Sequence, residues 1–593
     1  MLRDIRKNKI FNRRTLIIGS CHAFLSGLLL SRLSYLQIFK YKDYAMQSDS
    51  NRIKTITIPA PRGNLYDRNG IALTENRNSY RLLLYLDKKR EFNNIVDRIV
   101  KILSLDDSNK ELFLNRIKRS NRKSIISLIN NLHWDDLARI ESNRYNLPDV
   151  SIESGVIRTY KYPEATAHFL GYVSLPAENE IEDKEESLYM HPDFRIGKSG
   201  LEKYYDKRLR GYYGIKNVEV NVKDIPIRTL SQNNPKAGID INTTIDFELQ
   251  NFVYNRIKGI IASVVVMDVD NGEILSYNSS PSFDTNNFVE GASVEFWQRI
   301  SSDPNLPLNN RPISAIYPPG STFKIMVALA ALEAGYDPEI KYRCQGYYKS
   351  GNRKFYCWQR DGHGILNMSD AIKHSCNTYF FEVANKIGYK KFAAMARKFG
   401  YGQILDLDLQ GENSGNIPDF DWKKNVIGTN WVGGDTLNAA IGQGFLLATP
   451  MQMVVATAAI ANGGFFIKPT FVKKEIISTA KSKIVSNANN IDFVKNGMFR
   501  VVNEQGGTAF YQRLRDDKFK VAGKTGTSQV TSRKKGDEEN KDSKYNNHAI
   551  FVGFAPYENP KYAISVVVEH GGSGSSIAAP IAMDIMRYIR DNF

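Results

Sequence analysis

The chain reads Gly320-Ser321-Thr322-Phe323-Lys324, and Tyr317-Pro318-Pro319 directly precedes this motif. On a helical turn, a serine and a lysine three residues apart present their hydroxyl and amine on the same face. A serine hydroxyl is a weak nucleophile until a base removes its proton, and a desolvated, neutral lysine amine is such a base. The motif therefore predicts a nucleophile, Ser321, that is activated by Lys324.

The serine–lysine spacing is not specific on its own. Three other pairs in the chain share it: Ser120 with Lys123, Ser478 with Lys481, and Ser532 with Lys535. We interpret those three as solvated surface pairs. Ser321 differs from them because two more motifs follow it, Ser375-Cys376-Asn377 and Lys524-Thr525-Gly526-Thr527. In this order the three motifs reproduce the Ser-x-x-Lys, Ser-x-Asn and Lys-Thr-Gly set of β-lactamases and penicillin-binding proteins.

The catalytic residue types suit acyl transfer through a covalent intermediate. Ser321 would attack a carbonyl carbon, and Lys324 would accept the serine proton. Ser375 can relay that proton toward the leaving amine, while Asn377 can hold the substrate amide. Lys524, which we place on an edge strand, supplies positive charge.

The residues around Lys524 are predicted to bind the substrate. Thr525 and Thr527 offer hydroxyl groups to a carboxylate, and Gly526 lets the substrate backbone approach closely. The backbone N–H groups of Ser321 and Thr527 are the expected donors to the oxyanion.

Nearly the whole chain resembles a class B penicillin-binding protein of the elongation type, the penicillin-binding protein 2 family of peptidoglycan D,D-transpeptidases. Besides the three motifs, the resemblance is carried by the following strings: Arg62-Gly63-Asn64-Leu65-Tyr66-Asp67-Arg68-Asn69-Gly70, the box from Gly197 to Gly211, Thr244-Ile245-Asp246, Gly434-Asp435-Thr436, Ile441-Gly442-Gln443-Gly444, Gly506-Gly507-Thr508-Ala509 and Gly553-Phe554-Ala555-Pro556.

The resemblance implies an α+β fold with two extracytoplasmic domains. An elongated, mixed α/β pedestal of the dimerisation type would cover residues 40–238, with an inserted helical lobe at about 91–146. A penicillin-binding, β-lactamase-like transpeptidase domain would cover residues 239–593. In that domain an antiparallel sheet is flanked by helices, and a helical subdomain is added.

The function that the resemblance implies is the crosslinking of peptidoglycan stem peptides through a Ser321 acyl-enzyme, during cell elongation and shape maintenance. Water competes with the acceptor amine, which leaves room for a minor D,D-carboxypeptidase activity. β-Lactams would acylate the same serine. The implied protein partners are a polytopic glycan polymerase and an MreC-like elongation protein.

Three alternatives compete with this function. A division-type (septal) transpeptidase would use the same chemistry at a different place in the cell. A β-lactam sensor shares the catalytic domain but needs several membrane helices and an intracellular signalling domain. In the third alternative the protein mainly serves as a scaffold of the elongation machinery, and catalysis is secondary.

The N-terminus predicts a membrane anchor. Six basic residues precede the apolar run from Leu16 to Leu30: Arg3, Arg6, Lys7, Lys9, Arg13 and Arg14. A bilayer core requires roughly 20 apolar residues, so we expect the helix to continue beyond this run. We therefore place an uncleaved transmembrane helix at residues 15–39. The basic tail, residues 1–14, would lie in the cytoplasm, and the catalytic domain would lie outside the inner membrane, in the periplasm.

The chain of 593 residues carries a net charge of +17 at pH 7. Its lysines and arginines are spread along the whole sequence, and no finger, arginine-rich arm or RNP-like string accompanies them. We therefore expect no nucleic-acid partner. Anionic lipid or an acidic envelope polymer explains the basic charge equally well.

The cysteines suggest a metal site. Three cysteines and a histidine follow the pattern Cys344-x12-Cys357-x5-His363-x12-Cys376. Three thiolates and one imidazole suit a closed, structural zinc site, but the spacing is not that of a known finger, so free thiols or one disulfide stay open alternatives. The family resemblance favours zinc beside the active site, because some elongation-type members carry zinc at matching positions. No organic cofactor is expected.

Overall fold

The computed structural model describes residues 2–42, 52–85, 92–119, 125–180, 194–220, 226–473, 482–529 and 546–593. The three serine–lysine pairs that were interpreted as surface pairs lie outside these ranges. The catalytic motifs, the cysteines and the N-terminal apolar segment all lie within them.

The α-helices, in chain order, are α1 (Leu2–Ser34), α2 (Phe92–Leu103), α3 (Asp107–Arg119), α4 (Trp134–Ser142), α5 (Ala167–Leu170), α6 (Gly200–Tyr204), α7 (Asp206–Arg210), α8 (Phe247–Ile257), α9 (Asn286–Val289), α10 (Val294–Ser301), α11 (Arg311–Ser314), α12 (Lys324–Glu333), α13 (Met368–Lys373), α14 (Asn377–Ile387), α15 (Tyr389–Lys398), α16 (Phe420–Trp422), α17 (Gly433–Ala440), α18 (Pro450–Ala461), α19 (Ala488–Asn503) and α20 (Ala579–Asn592).

The strands, again in chain order, are β1 (Ile53–Ile58), β2 (Leu65–Tyr66), β3 (Thr74–Tyr85), β4 (Ile125–Leu132), β5 (Val150–Tyr160), β6 (Val173–Ser174), β7 (Ile196–Gly197), β8 (Gly214–Val220), β9 (Pro226–Asn233), β10 (Ile241–Asn242), β11 (Ala262–Asp268), β12 (Ile274–Ser280), β13 (Tyr342–Cys344), β14 (Tyr347–Ser350), β15 (Arg353–Tyr356), β16 (Gly364–Leu366), β17 (Phe465–Phe466), β18 (Ser482–Lys483), β19 (Ala522–Ser528), β20 (His548–Ala555) and β21 (Tyr562–Val568).

The chain divides into two compact units, and the smaller unit holds the N-terminal helix and a three-stranded sheet of order β1-β8-β9. Helix α1 begins at Leu2 and continues through a short π-helical turn, Tyr35–Phe39. Within it, Asn12–Phe39 has a mean hydropathy of 1.6 and is long enough to cross a membrane. The apolar segment predicted at residues 15–39 therefore lies inside one continuous helix.

The larger unit contains a three-stranded antiparallel sheet of order β4-β3-β5. The segment 91–146, which was expected to be helical, contains α2, α3 and α4 but also the strand β4. Ile126 and Leu128 are buried at alternate positions of β4, which is the period of a strand with one covered face. They pack with Leu82, Val96 and Ile99 in a separate hydrophobic core.

The site is built on a five-stranded antiparallel sheet of order β12-β11-β21-β20-β19. Asp270-Asn271-Gly272 closes the β11–β12 hairpin, with Gly272 at φ +82°. Every position of β12 is buried, so both faces of the sheet are covered. Helix α18, buried at all twelve positions, packs on the central strands, and the terminal helix α20 packs on β20 and β21. Strand β19 stays at the edge, as predicted for Lys524.

Candidate active site

The nucleophile motif occupies a helix start. Gly320–Phe323 form a 3₁₀ turn, and α12 begins at Lys324, so the motif lies at the junction and not inside an α-helix. The predicted pairing nevertheless holds, because Lys324 Nζ lies 3.1 Å from Ser321 Oγ. Gly320 has φ +56°, and a Cβ atom there would lie 2.9 Å from the Thr527 carbonyl oxygen. A glycine is needed at this position for both reasons.

Lys324 is fully buried and contacts two motifs at once. Its Nζ lies 2.7 Å from the Ser375 carbonyl oxygen, 2.7 Å from Asn377 Oδ1 and 3.2 Å from Ser375 Oγ. Burial disfavours the ammonium form and lowers the pKa of Lys324 to about 8. A substantial fraction of the amine is therefore neutral near physiological pH and can accept a proton from Ser321.

Ser375 lies between the two lysines of the site. It follows α13 with φ +54°, a left-handed conformation that a non-glycine residue rarely adopts. Lys524 Nζ donates to Ser375 Oγ at 2.8 Å, so the hydroxyl contacts both amines. Burial and the neighbouring charge of Lys324 hold the pKa of Lys524 well below its usual range.

Asn377 is fixed at the first position of α14. Its side-chain N–H donates to the Tyr356 carbonyl oxygen at 3.1 Å, while its Oδ1 accepts from Lys324. Tyr356 was not among the predicted residues. Because it contributes a backbone carbonyl, no side-chain signal in the sequence could have identified it.

The Lys-Thr-Gly strand faces the nucleophile turn. A Cβ atom at Gly526 would lie 3.0 Å from Thr322 Cγ2, so the glycine permits the close approach of β19 to that turn. Thr527 is exposed, and its carbonyl oxygen accepts from Gln443 Nε2 at 3.2 Å. Thr525 is buried, and its hydroxyl lies 2.6 Å from the hydroxyl of Thr508.

Gln443 and Thr508 lie at the site although neither was predicted to have a role there. Both belong to strings that carried the family resemblance, Ile441-Gly442-Gln443-Gly444 and Gly506-Gly507-Thr508-Ala509. Gln443 lies between two glycines, and two glycines directly precede Thr508. These glycines were the available signal, because they allow backbones to meet closely around the polar side chain.

The low pKa of Lys324 leads to a pH prediction. The rate constant for acylation by benzylpenicillin should rise between about pH 6 and about pH 9, because the amine must be neutral to accept the Ser321 proton. The half-maximal rate is expected near the pKa of about 8. Stopped-flow measurement of the acylation rate constant over this pH range tests the prediction. A rate that is flat, or that falls with rising pH, would contradict the assignment of Lys324 as the base.

The predicted metal ligands converge in space. Cys344 ends β13, Cys357 follows β15, His363 precedes β16, and Cys376 caps α14. Their ligand atoms all lie within 4.8 Å of one another. All four cysteines of the chain are free, so the disulfide alternative is not realised in this structure.

The donor set fits a soft divalent cation. His363 Nδ1 lies 3.5 Å from Cys344 Sγ and 3.6 Å from Cys357 Sγ, which are separations between ligands that share one small ion. The Cys376 thiol and the His363 ring lower the pKa of Cys357 and favour its thiolate. The three thiols are buried. Buried thiolates without a cation would be costly, and a metal would neutralise them.

Comparisons with known proteins show the family of this chain. A family profile described as "Penicillin binding protein transpeptidase domain" matches residues 262–587, and one described as "Penicillin-binding Protein dimerisation domain" matches residues 57–243. The peptidoglycan D,D-transpeptidase MrdA of Haemophilus influenzae is 34% identical over 98% of this chain and 92% of its own length. The protein of that name in Escherichia coli K12 is 33% identical over 99% of this chain and 94% of its own length.

Solved structures give the same result. A complex between penicillin-binding protein 2 and MreC from Helicobacter pylori matches with a TM-score of 0.81 at 30% identity, over 91% of this chain and 99% of the matched chain. Penicillin-binding protein 2 of Pseudomonas aeruginosa in complex with WCK 5153 matches with a TM-score of 0.66 at 30% identity, over 90% and 96%.

The fold and these matches define a penicillin-binding protein with a dimerisation domain followed by a transpeptidase domain. Within that class, the chain belongs to the penicillin-binding protein 2 family of peptidoglycan D,D-transpeptidases. The family, the fold class and the enzyme class predicted from the sequence are confirmed. The roles assigned to individual site residues remain predictions.

Proposed function

We propose that this protein crosslinks peptidoglycan stem peptides through an acyl-enzyme on Ser321 during cell elongation. The observation that carries the proposal is the position of the Lys324 amine, which is buried and contacts both Ser321 Oγ and Ser375 Oγ. A base that reaches the nucleophile and a relay hydroxyl at once can serve both halves of an acyl transfer.

The first half is acylation by the donor stem peptide. Ser321 Oγ attacks the carbonyl carbon of the penultimate D-alanine while its proton passes to the neutral Lys324 amine. The N–H groups of Ser321 and Thr527 stabilise the oxyanion that forms. Ser375, which contacts both lysine amines, passes a proton to the nitrogen of the terminal D-alanine, and the C–N bond breaks.

The second half transfers the acyl group to an amine. An acceptor amine of a neighbouring peptidoglycan strand attacks the ester carbon. Its proton returns through Ser375 and Lys324 to Ser321 Oγ as the C–O bond breaks. Water in place of the amine gives the minor D,D-carboxypeptidase product. Lys524 Nζ donates to Ser375 Oγ and so orients the relay hydroxyl, while the hydroxyls of Thr525 and Thr527 hold the donor carboxylate.

Mass spectrometry tests the acyl-enzyme. After incubation with benzylpenicillin, the full-length protein should gain the mass of one penicilloyl group, and the modified peptide should contain Ser321. A β-lactam mimics the D-alanyl-D-alanine terminus and acylates the same oxygen. An adduct on another residue, or none, would contradict the proposal. Crosslinking activity is then measured with lipid-linked disaccharide pentapeptide and a glycan polymerase.

We further propose a single-pass topology at the inner membrane, with residues 1–14 in the cytoplasm and the catalytic domain in the periplasm. The six basic residues before the apolar run support it by the positive-inside rule. We place the pedestal at residues 40–238 and the transpeptidase domain at 239–593. The complex of the Helicobacter pylori relative with MreC supports an MreC-like partner for this chain, and a polytopic glycan polymerase is the second proposed partner.

Zinc is proposed for the cluster of Cys344, Cys357, His363 and Cys376. Three thiolates and an imidazole form a closed tetrahedral set, so a bound ion would act structurally and supply no open coordination position. Cys376 lies between Ser375 and Asn377, so these ligands would fix the loop that carries both catalytic side chains.

The zinc proposal is tested by metal analysis. The purified protein should contain about one zinc per chain, and Cys357→Ser should lower that content and slow penicillin acylation by about tenfold, because positioning ligands typically contribute 10- to 100-fold. Cys21→Ser is the matched control, since Cys21 lies in α1 and far from the cluster in sequence. Unchanged metal content and activity in Cys357→Ser would overturn the proposal.

A further inference from the structure

A partly buried carboxylate next to the nucleophile segment has no role in the mechanism above. Glu569 directly follows β21, and its Oε1 accepts two hydrogen bonds. The Tyr317 hydroxyl donates to it at 2.7 Å, and Arg311 Nε donates at 2.8 Å. Both donors are buried, Arg311 at 1% and Tyr317 at 5% exposure. One oxygen of Glu569 therefore joins two residues that precede Ser321.

Arg311 makes the carboxylate difficult to replace. Its Nη1 and Nη2 donate to the carbonyl oxygens of Leu306 and Asn305, at 3.1 and 2.6 Å. Its ion pair is with Glu569, at 2.8 Å. A buried guanidinium requires an anionic partner, because carbonyl dipoles alone compensate its charge poorly. Glu569 and Arg311 therefore form a rigid ion pair next to the segment that leads to Ser321.

Tyr317 connects the Glu569–Arg311 pair to the nucleophile. Its backbone N–H and C=O pair with Ala448, both at 2.9 Å, so main chain and side chain are held independently. Two prolines follow, and they restrict φ in the residues between Tyr317 and Gly320. The N–H of Gly320 then donates to the Gly442 carbonyl at 2.9 Å. Few torsions remain free between the tyrosine hydroxyl and Ser321.

Glu569 is also hydrogen-bonded to the sheet that carries the substrate-binding strand. The N–H of Glu569 donates to the Ile261 carbonyl at 2.8 Å, beside β11. Strand β21 pairs with β20, and β20 pairs with β19, the strand of Thr527. Glu569 thus joins the nucleophile segment to the sheet whose edge strand bears the second oxyanion donor.

We propose that Glu569 is a positioning residue for acyl transfer. By holding the Tyr317 hydroxyl, it sets the segment Pro318–Ser321 against β19, so that Ser321 Oγ meets the substrate carbonyl with both oxyanion N–H groups in place. The inference rests on the proposed function, since it concerns the orientation of the same nucleophile. It predicts a loss in the chemical step and not in substrate binding.

Tyr317→Phe tests the proposal with little change in shape, because only the hydroxyl is lost. The full-length protein is acylated with a fluorescent penicillin by stopped flow, which separates the acylation rate constant from the dissociation constant of the first complex. Tyr317→Phe should lower the rate constant by about tenfold and Glu569→Gln by up to about 100-fold, because a small displacement of the nucleophile slows the chemical step by factors of this size. The dissociation constant should be unchanged in both variants. The double variant should be no slower than Glu569→Gln, because the Tyr317 hydroxyl acts only through its contact with Glu569, which the glutamine variant already weakens.

Tyr389→Phe is the matched control. It removes another buried tyrosine hydroxyl, one that donates to the Pro418 carbonyl, and should leave the acylation rate constant unchanged. A lower thermal midpoint in Tyr317→Phe with an unchanged rate constant would overturn the proposal in favour of a purely structural role. Losses that multiply in the double variant would also overturn it. Should the wild-type protein itself fail to be acylated, the proposed function fails instead, so the two failures are distinguishable.

Discussion

Ser321→Ala is expected to abolish covalent labelling by a fluorescent penicillin, with a loss of at least about 10⁴-fold in the acylation rate, as for removal of other serine nucleophiles. The reason is chemical, because the acyl-enzyme ester forms on the Ser321 oxygen. Gel fluorescence and intact mass after incubation measure the loss. The alanine variant should still fold, since Ser321 is only half-buried.

Ser314→Ala is the matched control for this variant. Ser314 ends α11 in the same approach to the nucleophile, and its hydroxyl donates to the Gly411 carbonyl at 3.0 Å. Its replacement should leave labelling unchanged. In cells that depend on this protein, Ser321→Ala should also abolish normal cell shape. Loss of labelling with retained shape would instead support the scaffolding alternative as the main function.

Lys324→Met is expected to lower the acylation rate by about 10³-fold, within the range for removal of a general base. Methionine has a similar volume and suits a site that is completely buried. The variant also removes a like charge beside Lys524, whose pKa is depressed by burial and by the charge of Lys324. The fold should therefore tolerate the change. Stopped-flow acylation and a thermal unfolding midpoint on the same sample separate catalysis from stability.

The residual activity of Lys324→Met should no longer rise with pH through about 8, because the group with that pKa is gone. Lys495→Met is the matched control. Lys495 is a partly buried lysine of α19, with its Nζ 5.9 Å from the Phe554 ring centroid, and burial also lowers its pKa. This control should keep both the rate and the pH profile of the wild type. A Lys324→Met variant with the wild-type profile would contradict the base assignment.

The predicted residues of the site differ in how directly the sequence could place them. Ser321 and Lys324 are three residues apart, so any helical turn brings their functional groups together. The contact between Lys524 and Ser375 joins residues 149 positions apart. The set of three motifs assigned both residues to one site, but it did not predict this contact. The strand β4 inside the expected helical lobe was missed because a short apolar run does not distinguish a helix from a strand.

Residue types and the order of the motifs along the chain were enough to predict the acyl-transfer chemistry, the apolar N-terminal segment, the Lys-Thr-Gly edge strand and the cysteine–histidine set, because each of these features is defined by residue type and order. The left-handed backbone of Ser375, and the position of its hydroxyl between two buried lysines, follow from tertiary packing alone. The same holds for the contact of Glu569 with Tyr317 across 252 residues of chain. Such contacts depend on how the sheet and helices pack, and that packing is the sum of many weak, long-range interactions that no local pattern records.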